Sequence, residues 1–272
     1  MKIAWKELLA ILPPKLRQQI KPDELWEIRL RLGRPTELVS ARGSLWVGDA
    51  ATRDDLNFVV NTASRYSPWA AQTVAQGYIT APGGHRIGLG GEAVVNGGQI
   101  TGLREVNSLC IRIARDVSGI GRSFANLKAS VLILGPPGAG KTTLLRDLCR
   151  ELSKRETVAV VDERGELFPT GFDRGRSLDV LSLCPKPEGI DMALRTLSPT
   201  TIAVDEITGE ADAQALLRAG WCGVRLLATA HASGVDDLRR RPIYRSLTDN
   251  HLFDHILICH RDKSRSTERM DI

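Results

Sequence analysis

Cysteine, aromatic side chains and long apolar runs are all scarce in this chain of 272 residues, and each shortage narrows what it can be. The five cysteines (Cys110, Cys149, Cys184, Cys222 and Cys259) are scattered, odd in number and form no Cys-x-x-Cys pair. That usage argues against a disulfide framework and a zinc site, and points to a reducing compartment, the cytoplasm. No stretch approaches the roughly 20 consecutive apolar residues that span a bilayer. The opening MKIAWKELLAILPP is interrupted by Lys6 and Glu7 and lacks a small-residue cleavage site, so it reads as a short amphipathic helix stopped by Pro13 and Pro14. Membrane association is therefore expected through partners, not by direct insertion. Aromatic residues are 5% of the chain, too few for an aromatic-lined basic groove, so the net charge of +5 permits nucleic acid as a partner but ranks it low. Internal repeats are missing too, and the polar tail KSRSTERMDI is expected to fray.

What remains divides into two textures. Residues 1–122 read as a smaller α+β domain: Leu25, Ile28, Leu30 and Leu32 alternate in part with Glu27, Arg29 and Arg31, as a half-exposed strand does. SLWVGDA, after an Arg42-Gly43 turn, predicts a second strand. Residues 52–76 carry a helical face of Leu56, Val59, Val60, Ala63 and Tyr66, with Pro68 expected to break or restart the helix. Glycine-punctuated apolar runs from Gly77 to Ala114 predict hairpins, and DVSGIGRSFANLK (116–128) has the composition of a linker or short connecting helix. Residues 123–272 instead alternate apolar strands with helices: VLILG, a helix, TVAVVD, a loop from Pro169 to Leu183, a helix from Glu188 to Leu197, TIAVDE, a helix from Glu210 to Ala219, RLLATAH and HILICH. That order predicts a mostly parallel sheet covered on both faces.

The turn after VLIL reads Gly135-Pro136-Pro137-Gly138-Ala139-Gly140-Lys141-Thr142, then Thr143, and apolar residues recur with helical spacing at Leu144, Leu145, Leu148 and Leu152. G-x-x-x-x-G-K-T between a strand and a helix is a phosphate loop. Its glycines admit positive φ and close approach, so consecutive N–H groups converge on a phosphate above a helix N-terminus. Lys141 then reaches the β- and γ-phosphates of ATP, and the Thr142 hydroxyl ligates Mg2+. The fold class expected is an α/β P-loop NTPase core of the RecA-like kind.

Three further strand ends belong at the same sheet edge. TIAVDEITGE places Asp205 where it can hold Mg2+ through water and Glu206 where it can orient or deprotonate an attacking water. VAVVDERGEL ends in Asp162 and Glu163, as a second metal-side carboxylate and a second catalytic candidate, or else as caps of the next segment with Glu166 and Arg164. RLLATAHAS brings Thr229 and His231, the histidine to hydrogen-bond the γ-phosphate or Glu206.

The order phosphate loop, acidic box, second acidic strand, histidine resembles the ATPases of bacterial type II and type IV secretion and pilus systems over about half the chain. Asp205 stands where those proteins commonly carry glycine, and the N-terminal module is short. With EIRLRLGRP, GGHRIGLGGEAV, GQITGLREVNSLCIRIARDVSG and GPPGAGKTTLLRDLCREL, the chain resembles the stage III sporulation protein AA family of endospore formers along nearly its full length. That resemblance implies an ATPase in the mother cell, associated through partners with a membrane-embedded channel complex joining mother cell and forespore, and a homo-oligomer, a ring of six. In such rings an arginine of another domain or subunit completes the site, which makes Arg86, Arg104 and Arg112 candidates, with Arg174, Arg176 and Arg195 as weaker rivals.

Overall fold

A computed structural model of the chain describes residues 4–21, 25–40, 42–64, 77–169 and 171–270. They form two compact units, one of Met1–Asp116 with Pro169–Phe172, the other of Val117–Phe168 with Asp173–Ile272. The stretch read as a linker belongs to the second unit from Val117 on, where the Gly121 N–H donates to Asp147 Oδ2 at 2.7 Å.

In the first unit α1 (Trp5–Ile11) stops at the prolines and α2 (Pro14–Arg17) restarts after them, because proline at a helix start sacrifices no hydrogen bond. A six-stranded antiparallel sheet follows, built from β1 (Leu25–Arg31), β2 (Thr36–Ser40), β3 (Gly43–Val47), β4 (Tyr78–Thr80), β5 (Arg86–Asn96) and β6 (Gln99–Arg112), in the order β3-β2-β1-β6-β5-β4. The broken alternation of LWEIRLR has a cause: a register shift between Leu25 and Glu27 keeps Leu25, Ile28 and Leu30 all buried. Leu8 and Ile11 of α1 and the following Leu12 pack with Ile28, Ile87 and Ile111 in one core. α3 (Arg53–Ala63) starts at a capping box in which Thr52 and Asp55 exchange hydrogen bonds. The remainder of the helix expected over 52–76, Pro68 included, falls outside the described residues from 65 on.

The second unit is a seven-stranded sheet with helices on both faces. β7 (Val131–Leu134) leads through the glycine turn into α4 (Lys141–Leu152). Then come β8 (Val158–Asp162), β9 (Leu178–Ser182), α5 (Lys186–Thr196), β10 (Thr201–Val204), α6 (Glu210–Trp221), β11 (Arg225–Ala230), α7 (Val235–Arg240), α8 (Pro242–Asp249), β12 (His255–Cys259) and β13 (Arg265–Arg269). The order is β13-β12-β7-β11-β10-β8-β9, parallel throughout except for the β12–β13 pair. The four-residue runs of β7 and β10 are buried at every position, which is why they read as continuous apolar strings.

Two expectations are corrected. The loop from Pro169 to Leu183 contains β9, a five-residue edge strand parallel to β8 whose apolar Leu178, Val180 and Leu181 are only half-buried. Of the tail expected to fray, Arg265–Arg269 pairs residue by residue with His255–Cys259, exposed along its length, and Met270 is buried, while residues 271–272 lie outside the described residues. Among the described residues no helix is long and apolar enough to cross a membrane.

Candidate active site

The glycine turn closes on itself. Gly135, Gly138 and Gly140 take φ of 149°, 75° and 101°. A Cβ on Gly135 would stand 2.4 Å from the Cys259 carbonyl oxygen, so only glycine fits between β7 and the end of β12. The Ala139 N–H donates to the Pro136 carbonyl at 3.2 Å across Pro137-Gly138, with proline second and positive-φ glycine third as a type II turn requires. Lys141 folds back under this turn, its ammonium donating to the carbonyls of Gly135 at 2.9 Å and Pro136 at 3.1 Å and to His231 Nδ1 at 3.1 Å. Burial lowers the Lys141 pKa, against the opposing pull of Asp205 and Glu206. An ammonium has no lone pair, so His231 accepts at Nδ1 and keeps its proton on Nε2, 3.2 Å from Glu206 Oε1.

The neighbouring strand ends interlock through one buried hydroxyl. Thr142 Oγ1 donates to Asp205 Oδ2 at 2.9 Å, Thr229 Oγ1 donates to Asp205 Oδ1 at 2.6 Å, and the Glu206 N–H donates to Thr229 Oγ1 at 2.8 Å. Glu206 itself sits at φ 47°, left-handed backbone that a glutamate adopts only when its surroundings dictate it. The turn from Pro137 to Thr143, Ala139 excepted, lines a cavity of about 350 Å3 together with Asp205, Glu206, Thr229 and His231. It opens at the C-terminal ends of β7, β10 and β11, the edge at which open α/β sheets bind ligands. Adjacent oxygens from Thr142 and Asp205 fit a hard cation such as Mg2+. Among the described residues no cluster of three or more His, Cys, Asp or Glu side chains could hold a metal ion.

Asp162 and Glu163 are used differently. The Asp162 carboxylate, buried, accepts from the backbone N–H groups of Glu166 (2.9 Å), Leu167 (2.8 Å) and Phe168 (3.3 Å). It anchors the turn after β8, as the capping alternative expects. Burial raises its pKa against the pull of those three amides. Glu163 is paired with the buried Lys186, which also lies 3.5 Å from Asp212. Arg164 turns to the other acidic strand, its Nη1 2.7 Å from Glu206 Oε2. Both oxygens of Glu206 are thus engaged, one by His231 and one by Arg164.

The three leading arginine candidates, Arg86, Arg104 and Arg112, lie on the six-stranded sheet of the first unit, whereas Arg174, Arg176 and Arg195 belong to the second unit. Arg86 and Arg112 are direct cross-strand partners, Arg86 also lying over the Tyr78 ring at 4.1 Å. Arg104 pairs with Glu92 at 2.8 Å, and Arg112 lies 3.8 Å from Glu27.

A family model for sporulation stage III protein AA matches residues 5–269. The chain belongs to the stage III sporulation protein AA family. It is 35% identical to the stage III sporulation protein AA of Bacillus subtilis, over 96% of this chain and 92% of that one. It is 29% identical to the Arabidopsis thaliana protein SEEDLING PLASTID DEVELOPMENT 1, over 86% of this chain and 34% of that one. Among solved structures it is similar to the ATPase DotB of Legionella pneumophila, with a TM-score of 0.62 at 20% identity, covering 90% of this chain and 76% of that one. The pilus retraction motor PilT, solved with ADP, gives 0.62 at 14% identity, covering 86% and 74%. The fold of this stage III sporulation AA family member is thus that of the secretion ATPases, with a P-loop RecA-like core.

Sequence reasoning passed over three members of the network. Thr229 was placed at the edge without a role, Arg164 only as a cap partner, and Lys186 not at all. Each meets a partner more than 20 positions away, so no local spacing signals the contact.

Proposed function

We propose that the chain is a Mg2+-dependent ATP hydrolase of the secretion-ATPase type, whose turnover powers or gates a membrane-embedded channel complex during endospore formation. One observation carries the hydrolase reading: Thr142 of the phosphate loop and Asp205 of the second acidic strand are 2.9 Å apart, beside Lys141 and Glu206 on one cavity. The loop's N–H groups and Lys141 bind the phosphates, which draws the ammonium away from His231. Thr142 and Asp205 would hold Mg2+, which when bound would supply charge neutralisation for the phosphates. Glu206, once an oxygen is released, orients a water for in-line attack and takes its proton, with His231 Nε2–H steadying the carboxylate. Glu163, held by Lys186, is the second carboxylate at this edge.

In the proposed ring of six an arginine of the first unit completes the site. Arg86 and Arg112 are favoured, because they are direct cross-strand partners and so set two positive charges side by side on the sheet. The channel proteins are the proposed partners, the mother-cell cytoplasm the compartment. Phosphate release from ATP tests the reading: Lys141→Ala and Glu206→Gln are expected to abolish turnover, and wild-type rates in either would overturn it. The engagement of both Glu206 oxygens favours a second reading, a nucleotide-gated scaffold with slow turnover. Tight ATP binding without measurable hydrolysis at any ATP concentration would select it.

A further inference from the structure

The polar tail read as frayed instead brings a cation to the phosphate loop. β12 and β13 are joined by the turn His260-Arg261-Asp262-Lys263-Ser264, in which the Lys263 N–H donates to the His260 carbonyl at 3.1 Å and the His260 N–H to the Ser264 carbonyl at 3.0 Å. Asp262 Oδ1 fixes the turn by accepting from the Ser264 N–H at 2.9 Å and hydroxyl at 2.7 Å, and these bonds hold its carboxyl below the usual range. Lys263 occupies left-handed backbone, φ 70°, unusual for a side-chain-bearing residue. Its ammonium donates to the Gly138 carbonyl at 2.5 Å. The strand leading into this turn also abuts the loop's first glycine through the Cys259 carbonyl. One hairpin therefore meets the phosphate loop at two points, one by close packing and one by a charge-assisted hydrogen bond.

We propose that Lys263 is a positioning residue for nucleotide binding: it pre-orders the phosphate loop from outside the cavity by gripping Gly138. The role rests on the nucleotide reading of the loop. Lys263 does not line the cavity, so it acts through the peptide group and not on the phosphates. The peptide it grips consists of the Gly138 carbonyl and the Ala139 N–H, and the latter closes the turn onto Pro136. An ammonium on the oxygen draws charge through that peptide and strengthens its N–H as a donor. A loop whose N–H groups must converge on an anion loses conformational freedom on binding, and a tether already in place removes part of that loss.

Equilibrium binding of a fluorescent ADP analogue to the full chain tests this, with Lys263→Ala, Lys263→Arg and Lys141→Ala beside the wild type. Lys263 is exposed, so the variants are expected to keep the wild-type melting temperature. Lys263→Ala is expected to weaken binding by about five- to tenfold, the scale of one charge-assisted hydrogen bond at a surface. Lys263→Arg should restore most of the loss, and KM for ATP should rise in Lys263→Ala while kcat at saturation holds. Wild-type affinity in Lys263→Ala, or no rescue by arginine, overturns the proposal while leaving the nucleotide reading standing if Lys141→Ala has lost binding. No binding by the wild type overturns both.

Discussion

Thr229 is the residue on which the candidate site turns. Fully buried, it spends its hydroxyl hydrogen on Asp205 and its oxygen on the Glu206 N–H, so the two carboxylates proposed to serve metal and water are tied to one atom. Thr229→Val keeps the shape and removes the atom, leaving the Glu206 N–H without its acceptor and Asp205 Oδ1 without the Thr229 hydroxyl, while Thr142 still donates to Oδ2. Turnover is expected to fall about a hundredfold through misplacement of the catalytic groups, with ADP affinity within about threefold of wild type and rescue by Thr229→Ser. Phosphate-release kinetics beside equilibrium binding checks it, and an unchanged kcat would refute the role. The phosphate loop was legible beforehand because its chemistry is written in eight contiguous residues, Gly135 to Thr142. The Thr229, Arg164 and Lys186 contacts were not, because each depends on which strands become neighbours in the order β7-β11-β10-β8.

Single elements are held by buried polar anchors whose titration can be followed. Asp162 secures the turn after β8, and Asp162→Ala would leave three amides without their acceptor, which destabilises the second unit by about 2–4 kcal/mol. Urea unfolding measures that, and a loss under about 0.5 kcal/mol, the level of an ordinary surface change, would show the anchor to be dispensable. In the first unit His85 is fully buried between α1 and the sheet. Its ring lies 3.1 Å from the Ala4 carbonyl through Nε2, which donates, and accepts the Ala114 N–H at Nδ1 at 3.2 Å. Burial lowers its pKa, while the Ala4 carbonyl and the charge of Glu7 oppose the shift. The folded state therefore favours the neutral ring. Between the lowered folded value and about 6.5 the unfolded chain binds more protons, so this stabilisation is complete above about pH 6.5 and is lost as pH falls below it. Hydrogen exchange in Trp5–Ile11 is expected to quicken from pH 7.5 to pH 5, after correction for intrinsic rates, and His85→Gln should flatten that limb. An equal pH response in the variant would assign it elsewhere. Legibility at this scale follows burial: β7, β8 and β10 are buried at every position, largely apolar, and directly legible. Edge strands β9 and β13 owe their existence to a hydrogen-bonding neighbour, and α7, at 6 residues, is too short for periodicity to register.

For the whole molecule, the arginine pair of the first unit and the phosphate loop of the second pose a question about subunits. If a ring neighbour supplies Arg112, a Lys141→Ala protomer is inactive in its own site yet still donates an arginine, and an Arg112→Ala protomer has an intact loop and lacks only its neighbour's group. Each variant alone is expected to be nearly silent. Mixed in equal amounts and allowed to assemble with ATP, random neighbours recreate a complete site at about one interface in four, so roughly a quarter of wild-type turnover should return. Arg86→Ala, whose arginine faces Arg112 across β5 and β6, should behave alike, whereas Arg104→Ala, with its side chain paired to Glu92, should retain turnover by itself. Silence of the mixture, together with a monomeric mass in the presence of ATP, would confine the site to one chain. Recovery in the mixture without any change in mass would point to a complex too transient for sedimentation, which crosslinking at low ATP turnover would then trap.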